Sequence, residues 1–150
     1  MRSLFLLSAL LLTLASFSQD KSGYDSVLAK KWGADQYGMK QYVMAFLKTG
    51  SKTVDSAQRS LLIQGHLKNI GRLAKEGKLL LAGPFLDKGD LAGIFVFNVT
   101  TIEEARNLVA TDPAVKAGIF DMELHPWYGS AALMEVGNLH RKAQKVSITD

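Results

Sequence analysis

The chain opens on a positive start, Met1-Arg2-Ser3, followed by an apolar stretch from Leu4 to Leu14 that only Ser8 and Thr13 interrupt. The small residues Ala15, Ser16 and Ser18 come next. A positive start, an apolar run and small residues before a cut predict a secretory signal peptide over residues 1–18, cleaved after Ser18. The run is too short for a membrane anchor, which takes roughly 20 apolar residues. Residues 19–40 are polar, broken by Gly23, Gly33 and Gly38, and are expected to form an N-terminal arm.

From Gln41 the pattern changes. Tyr42 to Leu47 is a continuous apolar run ending at Lys48-Thr49-Gly50, which has strand length and a turn signal after it. Asp55 or Ser56 can then cap a long helix in which Leu62, Ile63, His66, Leu67, Ile70, Leu73 and Ala74 recur at spacings of three and four, up to Gly77. Lys78 to Ala82 and Leu91 to Val99 read as two strands joined through the turn residues Gly83-Pro84 and Asp87 to Asp90. Thr100 or Thr101 ahead of Glu103-Glu104 starts a second helix that ends near Asp112-Pro113, and Ile119 to Leu124 is the fourth strand. The order strand, helix, strand, strand, helix, strand predicts an α+β, ferredoxin-like βαββαβ sandwich over residues 41–128. After it, Tyr128-Gly129-Ser130 reads as a loop. Residues 129–150 form a C-terminal tail with a short helix between Ala131 and Gln144 and a frayed end.

Helices on one side of such a sheet leave its other side in need of a partner. In the fourth strand Phe120, Met122 and Leu124 alternate with Asp121, Glu123 and His125, so one face is apolar and the other acidic. In the third strand both faces are largely apolar, Phe95, Phe97 and Val99 on one and Ile94, Val96 and Asn98 on the other. That predicts cover on both sides, and a second copy packing sheet to sheet as a two-fold homodimer would supply it.

Composition narrows the chemistry. With no cysteine among 150 residues, thiolate metal sites and cysteine nucleophiles are excluded. The 18 Lys and Arg against 14 Asp and Glu are spread evenly along the chain, without the one-sided basic excess that holds a phosphate backbone, so nucleic acid is not an expected partner. Dinucleotide, phosphate-loop, zincin and hydrolase-elbow motifs do not occur. No cofactor is expected, nor stable membrane insertion once the signal peptide is removed.

Three histidines remain as candidates. His66 lies on or beside the apolar face of the first helix, where an imidazole can serve as general acid or base or be a core residue bonded to a backbone carbonyl. Asp112 is either a turn-former before Pro113 or the carboxylate that orients His66. His125 with Glu123 and Asp121 is too poorly spaced for a metal set, and His140 lies in the tail, so no metal site is expected. Phe85 and Trp127 are pocket walls or packing residues. The substrate-binding candidates are therefore Phe85, Glu123, His125 and Trp127.

Read together, several segments resemble the YCII-related family. They are His66-Leu67-Lys68-Asn69-Ile70, the run Gly77 to Phe85, Gly93-Ile94-Phe95, Glu103-Glu104-Ala105, Asp112 to Gly118, and Glu123-Leu124-His125-Pro126-Trp127. The resemblance spans residues 41–128 in order. It implies a dimeric α+β barrel of ferredoxin-like subunits, and a pocket in which a helix histidine and an aspartate are a proposed acid–base pair. The matching positions are His66 and Asp112. It also implies a lyase or isomerase that moves a proton beside a carbonyl of a small organic molecule. The alternative is an exported barrel that captures a small ligand without converting it.

Overall fold

A computed structural model describes residues 23–149. The expected signal peptide, residues 1–18, lies outside the described residues. No helix among the described residues is long and apolar enough to cross a membrane.

Four antiparallel strands, β1 (Met39–Thr49), β2 (Leu79–Pro84), β3 (Leu91–Phe97) and β4 (Phe120–Ser130), form one sheet in the order β2-β3-β1-β4. The main helices are α2 (Ser56–Lys75), after β1, and α3 (Ile102–Val109), after β3. The two βαβ units interleave, which is the ferredoxin-like arrangement predicted from the pattern. Each helix starts where its sequence offers a cap. Asp55 accepts the Gln58 N–H at α2, and Thr101 accepts the Glu104 N–H at α3.

The register fixes which side chains meet. Val43 pairs with Phe97 and Ala45 with Phe95 and Leu124, so these residues share the face under the helices. They join Leu73 of α2, Leu79 and Ala105 in one apolar cluster, with Ile70, Leu108, Met122 and Leu124 packed around it. A second cluster, Leu47, Ala114, Ile119 and Phe120, is closed by Leu62, Ile63 and Val115. At about 25 cal/mol per Å² of apolar area removed from water, these clusters are the main source of stability in a chain without disulfides.

The opposite face carries Lys40, Tyr42, Met44, Phe46 and Lys48 of β1, beside Ile94 and Val96 of β3 and Asp121, Glu123, His125 and Trp127 of β4. Part of its cover comes from the chain's own C-terminal segment. The arm contains α1 (Ser26–Trp32), capped by Asp25 and ended by Gly33 in the left-handed region; its seven residues are too short to show a helical period. β4 does not stop at Leu124, and residues 128–130 are strand rather than loop. Pro126 is tolerated there because β4 is an edge strand, with no second ladder to complete. A 3-10 segment (Ala131–Glu135) and α5 (Val136–Ala143) follow.

The 3-10 segment packs on β1 and β2 and is met by α1. On this face Lys40 Nζ lies 3.5 Å from Met134 Sδ, and the Tyr42 hydroxyl donates to Ser130 O at 3.1 Å. Tyr42 and Val96 are buried, while Met44, Phe46 and Ile94 are half-buried. The tail does not fray where expected, since Thr149 returns to α2 and lies against Gly71.

Candidate functional site

His66 sits where the two apolar clusters meet. One turn before it Leu62 and Ile63 belong to the second cluster, and one turn after it Ile70 belongs to the first. Its ring stacks on Phe95 at 5.8 Å and lies 5.2 Å from Phe120, one aromatic from each cluster. An imidazole in such a seam needs a polar partner, because an unpaired buried polar group costs on the order of 1–3 kcal/mol.

Asp112 is that partner. It is the N-cap of the short helix α4 (Pro113–Lys116), where Pro113 takes the first helical position, a place that needs no N–H. One carboxylate oxygen, Oδ1, accepts from Ala114 N at 2.8 Å and Val115 N at 3.4 Å. The other, Oδ2, lies 2.6 Å from His66 Nδ1 and 3.5 Å from Asn69 Nδ2. His66 is 7% exposed and Asp112 0%.

Close approach of the two elements depends on Gly65. A Cβ at this position would stand 2.7 Å from Pro113 Cγ, inside contact distance of a rigid ring. The bare backbone of α2 therefore admits Pro113, and the neighbours in sequence, His66 and Asp112, come into hydrogen-bond range. A glycine in a helix interior costs about 0.5–1 kcal/mol relative to alanine, and that penalty was the one sequence signal pointing here.

Burial pushes the Asp112 carboxyl up, and this is the largest single influence on it. The hydrogen bond and charge of His66, with the N–H groups of Ala114 and Val115, together outweigh burial and hold the carboxyl below the ordinary aspartate range. An ionised carboxylate only accepts, so His66 donates to it from Nδ1. Nε2 has no hydrogen-bond partner among the described residues. The only fully sealed side-chain polar atom among them that meets no hydrogen-bond geometry is Trp32 Nε1, so Nε2 keeps some solvent contact.

The other candidates stand elsewhere. Glu123, His125 and Trp127 project from the face of the sheet turned away from the helices, so the sheet itself separates them from His66 and Asp112. Alternation along β4 is the reason, since Phe120, Met122 and Leu124 occupy the helix side. His125 Nε2 lies 3.0 Å from Glu123 Oε1 with its ring edge-on to Phe46, and Lys48 forms a close ion pair with Glu123. Lys48, more than His125, lowers the Glu123 carboxyl.

Trp127 packs on Tyr42 at 5.9 Å and folds over Gly129, where any side chain would occupy the place of its ring. It walls a cleft of about 140 Å³ with Gln41, Tyr42, Thr100, Pro126 and Tyr128. Phe85, 40% exposed just beyond β2, lines neither this cleft nor a second one of about 440 Å³ between α2 and Thr149. Among the described residues no group of three or more His, Cys, Asp or Glu could hold a metal.

Sequence reasoning passed over Asn69, Arg72 and Thr111, which are hydrogen-bonded to one another beside Asp112. For Asn69 and Arg72 the spacing of three from His66 to Asn69 and again to Arg72 was a sequence signal, which keeps the three near one side of α2, and Asn69 also lies in the first segment that carries the resemblance; Thr111 had none.

Residues 41–128 match the YCII-related domain, leaving out the arm and the C-terminal segment. Over 65 residues the chain is 31% identical to a Bacillus subtilis (strain 168) protein called "Uncharacterized protein YjpA", a span of 43% of this chain and 74% of that one. Among solved structures, it is similar to 5-chloro-2-hydroxyhydroquinone dehydrochlorinase (TftG) from Burkholderia phenoliruptrix AC1100, in complex with 2,5-dihydroxybenzoquinone. That likeness has a TM-score of 0.43 at 22% identity and covers 57% of this chain and 92% of the other. Likeness at that level bears on neither substrate nor reaction. The domain match covers more than half the chain, and by it this protein belongs to the YCII-related family.

Proposed function

We propose that the protein is an exported proton-transfer enzyme of the lyase or isomerase class, with His66 as base and Asp112 as the group that orients it. The observation that carries the reading is the buried contact of 2.6 Å between His66 Nδ1 and Asp112 Oδ2, with Nε2 left unpartnered on the other side of the ring. In this reading Nε2 takes a proton from a carbon beside a carbonyl of a small organic substrate. The electron pair of the broken C–H bond moves into the carbonyl as an enolate, and Asp112 stabilises the imidazolium. The enolate then either recovers the proton at another carbon or expels a leaving group from the adjacent carbon. Side-chain acid–base work of this kind contributes about 10²–10⁴ in rate. The reading draws its proton carriers from the chain's own side chains.

Export rests on the pattern of residues 1–18, and mass spectrometry of the secreted chain should find it beginning at Gln19. The half-buried Met44, Phe46 and Ile94 favour a second copy of the chain on the uncovered part of the sheet. Light scattering should then give twice the chain mass, and Phe46→Glu should halve it.

A panel of small carbonyl compounds incubated in deuterium oxide tests the reaction. The wild-type protein should place deuterium beside the carbonyl of at least one compound, and His66→Gln should lose at least about 100-fold of that rate. Exchange undiminished in His66→Gln would refute the assignment. Binding of a compound without any exchange would instead favour ligand capture, a reading that the cleft at Trp127 also supports.

A further inference from the structure

We infer that Asn69 is the positioning residue of the His66–Asp112 pair and that Arg72 fixes the direction of its amide. The inference rests on the reading of His66 as the base.

Arg72 Nη2 donates to Asn69 Oδ1 at 2.8 Å and to Thr111 Oγ1 at 2.9 Å, while Nη1 donates to Glu76 at 2.8 Å. A guanidinium can only donate, so the acceptor oxygen of Asn69 must face Arg72. The amide nitrogen is thereby turned the other way, toward Asp112 Oδ2. Thr111 supports the same orientation. While accepting from Arg72, its hydroxyl can donate to Leu108 O at 2.6 Å or to Asn69 Oδ1 at 3.0 Å, so it too meets the acceptor end of the amide.

At 3.5 Å the Asn69 contact with Asp112 is a long one, and its contribution is directional more than energetic. Backbone N–H groups hold Oδ1 and two side chains hold Oδ2. Rotation of the carboxylate away from His66 would break contacts on both oxygens. Asn69 is 8% exposed, so bulk water has little room to take its place. A fixed carboxylate holds the proton on His66 Nδ1, which keeps Nε2 free as the base. The relay starts at the exposed Arg72 and ends at the buried pair. It therefore gives a surface residue a measurable hold on the tautomer of a histidine that it does not touch.

The test is proton–nitrogen NMR of histidine-labelled full chain, reading the tautomer of His66 and the solvent-exchange rate of its Nδ1–H. In Asn69→Ala and in Arg72→Ala the Nδ1–H should exchange a few fold faster, short of the roughly tenfold that one full net hydrogen bond would give, with the Nε2–H tautomer appearing. Arg72→Lys, which still donates to Asn69, should recover most of the wild-type behaviour. Circular dichroism confirms that each variant is folded, and Arg72→Ala, altered only at the surface, covers the case in which Asn69→Ala does not fold. Wild-type exchange and tautomer in Arg72→Ala would overturn the positioning role and leave the catalytic reading intact. Absence of the Nδ1–H tautomer from the wild-type protein would overturn both. Loss of deuterium exchange in His66→Gln tests the catalytic reading separately.

Discussion

Two histidine–carboxylate pairs stand on opposite faces of one sheet, His66–Asp112 at 2.6 Å and His125–Glu123 at 3.0 Å. Their chemistry is nearly the same, and their surroundings are not. Asp112 spends both oxygens on protein donors inside an apolar seam. Glu123 is exposed and shared between His125 and Lys48, with water able to replace either. Distance alone would rank the two pairs close together. The difference lies in what each group loses if its partner is removed, which depends on burial and on the number of remaining donors.

The largest effect should come from Asp112→Ala, which strands His66 and the N–H groups of Ala114 and Val115 in the seam. Each polar group left unpaired costs about 1–3 kcal/mol, and a lowered urea midpoint at unchanged slope would register the sum. In the same assay Glu123→Ala should leave the midpoint where it is. An equal loss in both variants would erase the distinction between the faces.

Gly65→Ala comes next. The new methyl would push Pro113 off α2, with a loss of about 1–3 kcal/mol, the usual range for overpacking. The His66–Asp112 contact should lengthen with it, visible as faster exchange of the Nδ1–H. Full stability together with an intact pair would show that α4 can yield without consequence.

A smaller effect is expected in acid. Because the folded state holds the Asp112 carboxyl below its ordinary range, the unfolded chain binds more protons there than the folded one. The stability from this group is fully present above the unfolded aspartate value, about 3.9, and is lost as the pH falls through the lower folded value. Urea denaturation between about pH 6 and 2 should therefore show a steep acid limb that Asp112→Asn flattens. An unchanged limb in that variant would place the acid sensitivity on other carboxylates.

Much of this contrast was legible in the sequence. The alternation of Phe120, Met122 and Leu124 with Asp121, Glu123 and His125 assigned each face of β4, and the helical spacing around His66 placed it against the core. The resemblance singled out Asp112, which spacing alone left as a turn-former. What stayed hidden depends on tertiary contacts. Pro126 reads as a strand stop in sequence, and only the edge position of β4 lets the strand run on to Ser130. Asn69 and Arg72 look like ordinary polar residues of a surface helix until Thr111 and Asp112 arrive from 39 to 43 positions away. Likewise, the apolar second face of β3 predicted a cover without saying that part of it would come from the chain's own C-terminal segment.

The most direct measurement compares deuterium exchange into one responsive carbonyl compound by wild type, His66→Gln and His125→Gln. Loss of exchange in His66→Gln with wild-type rates in His125→Gln is the predicted result. Exchange that survives in His66→Gln, or that disappears in His125→Gln instead, would move the chemistry to the open face and contradict the role given to the buried pair.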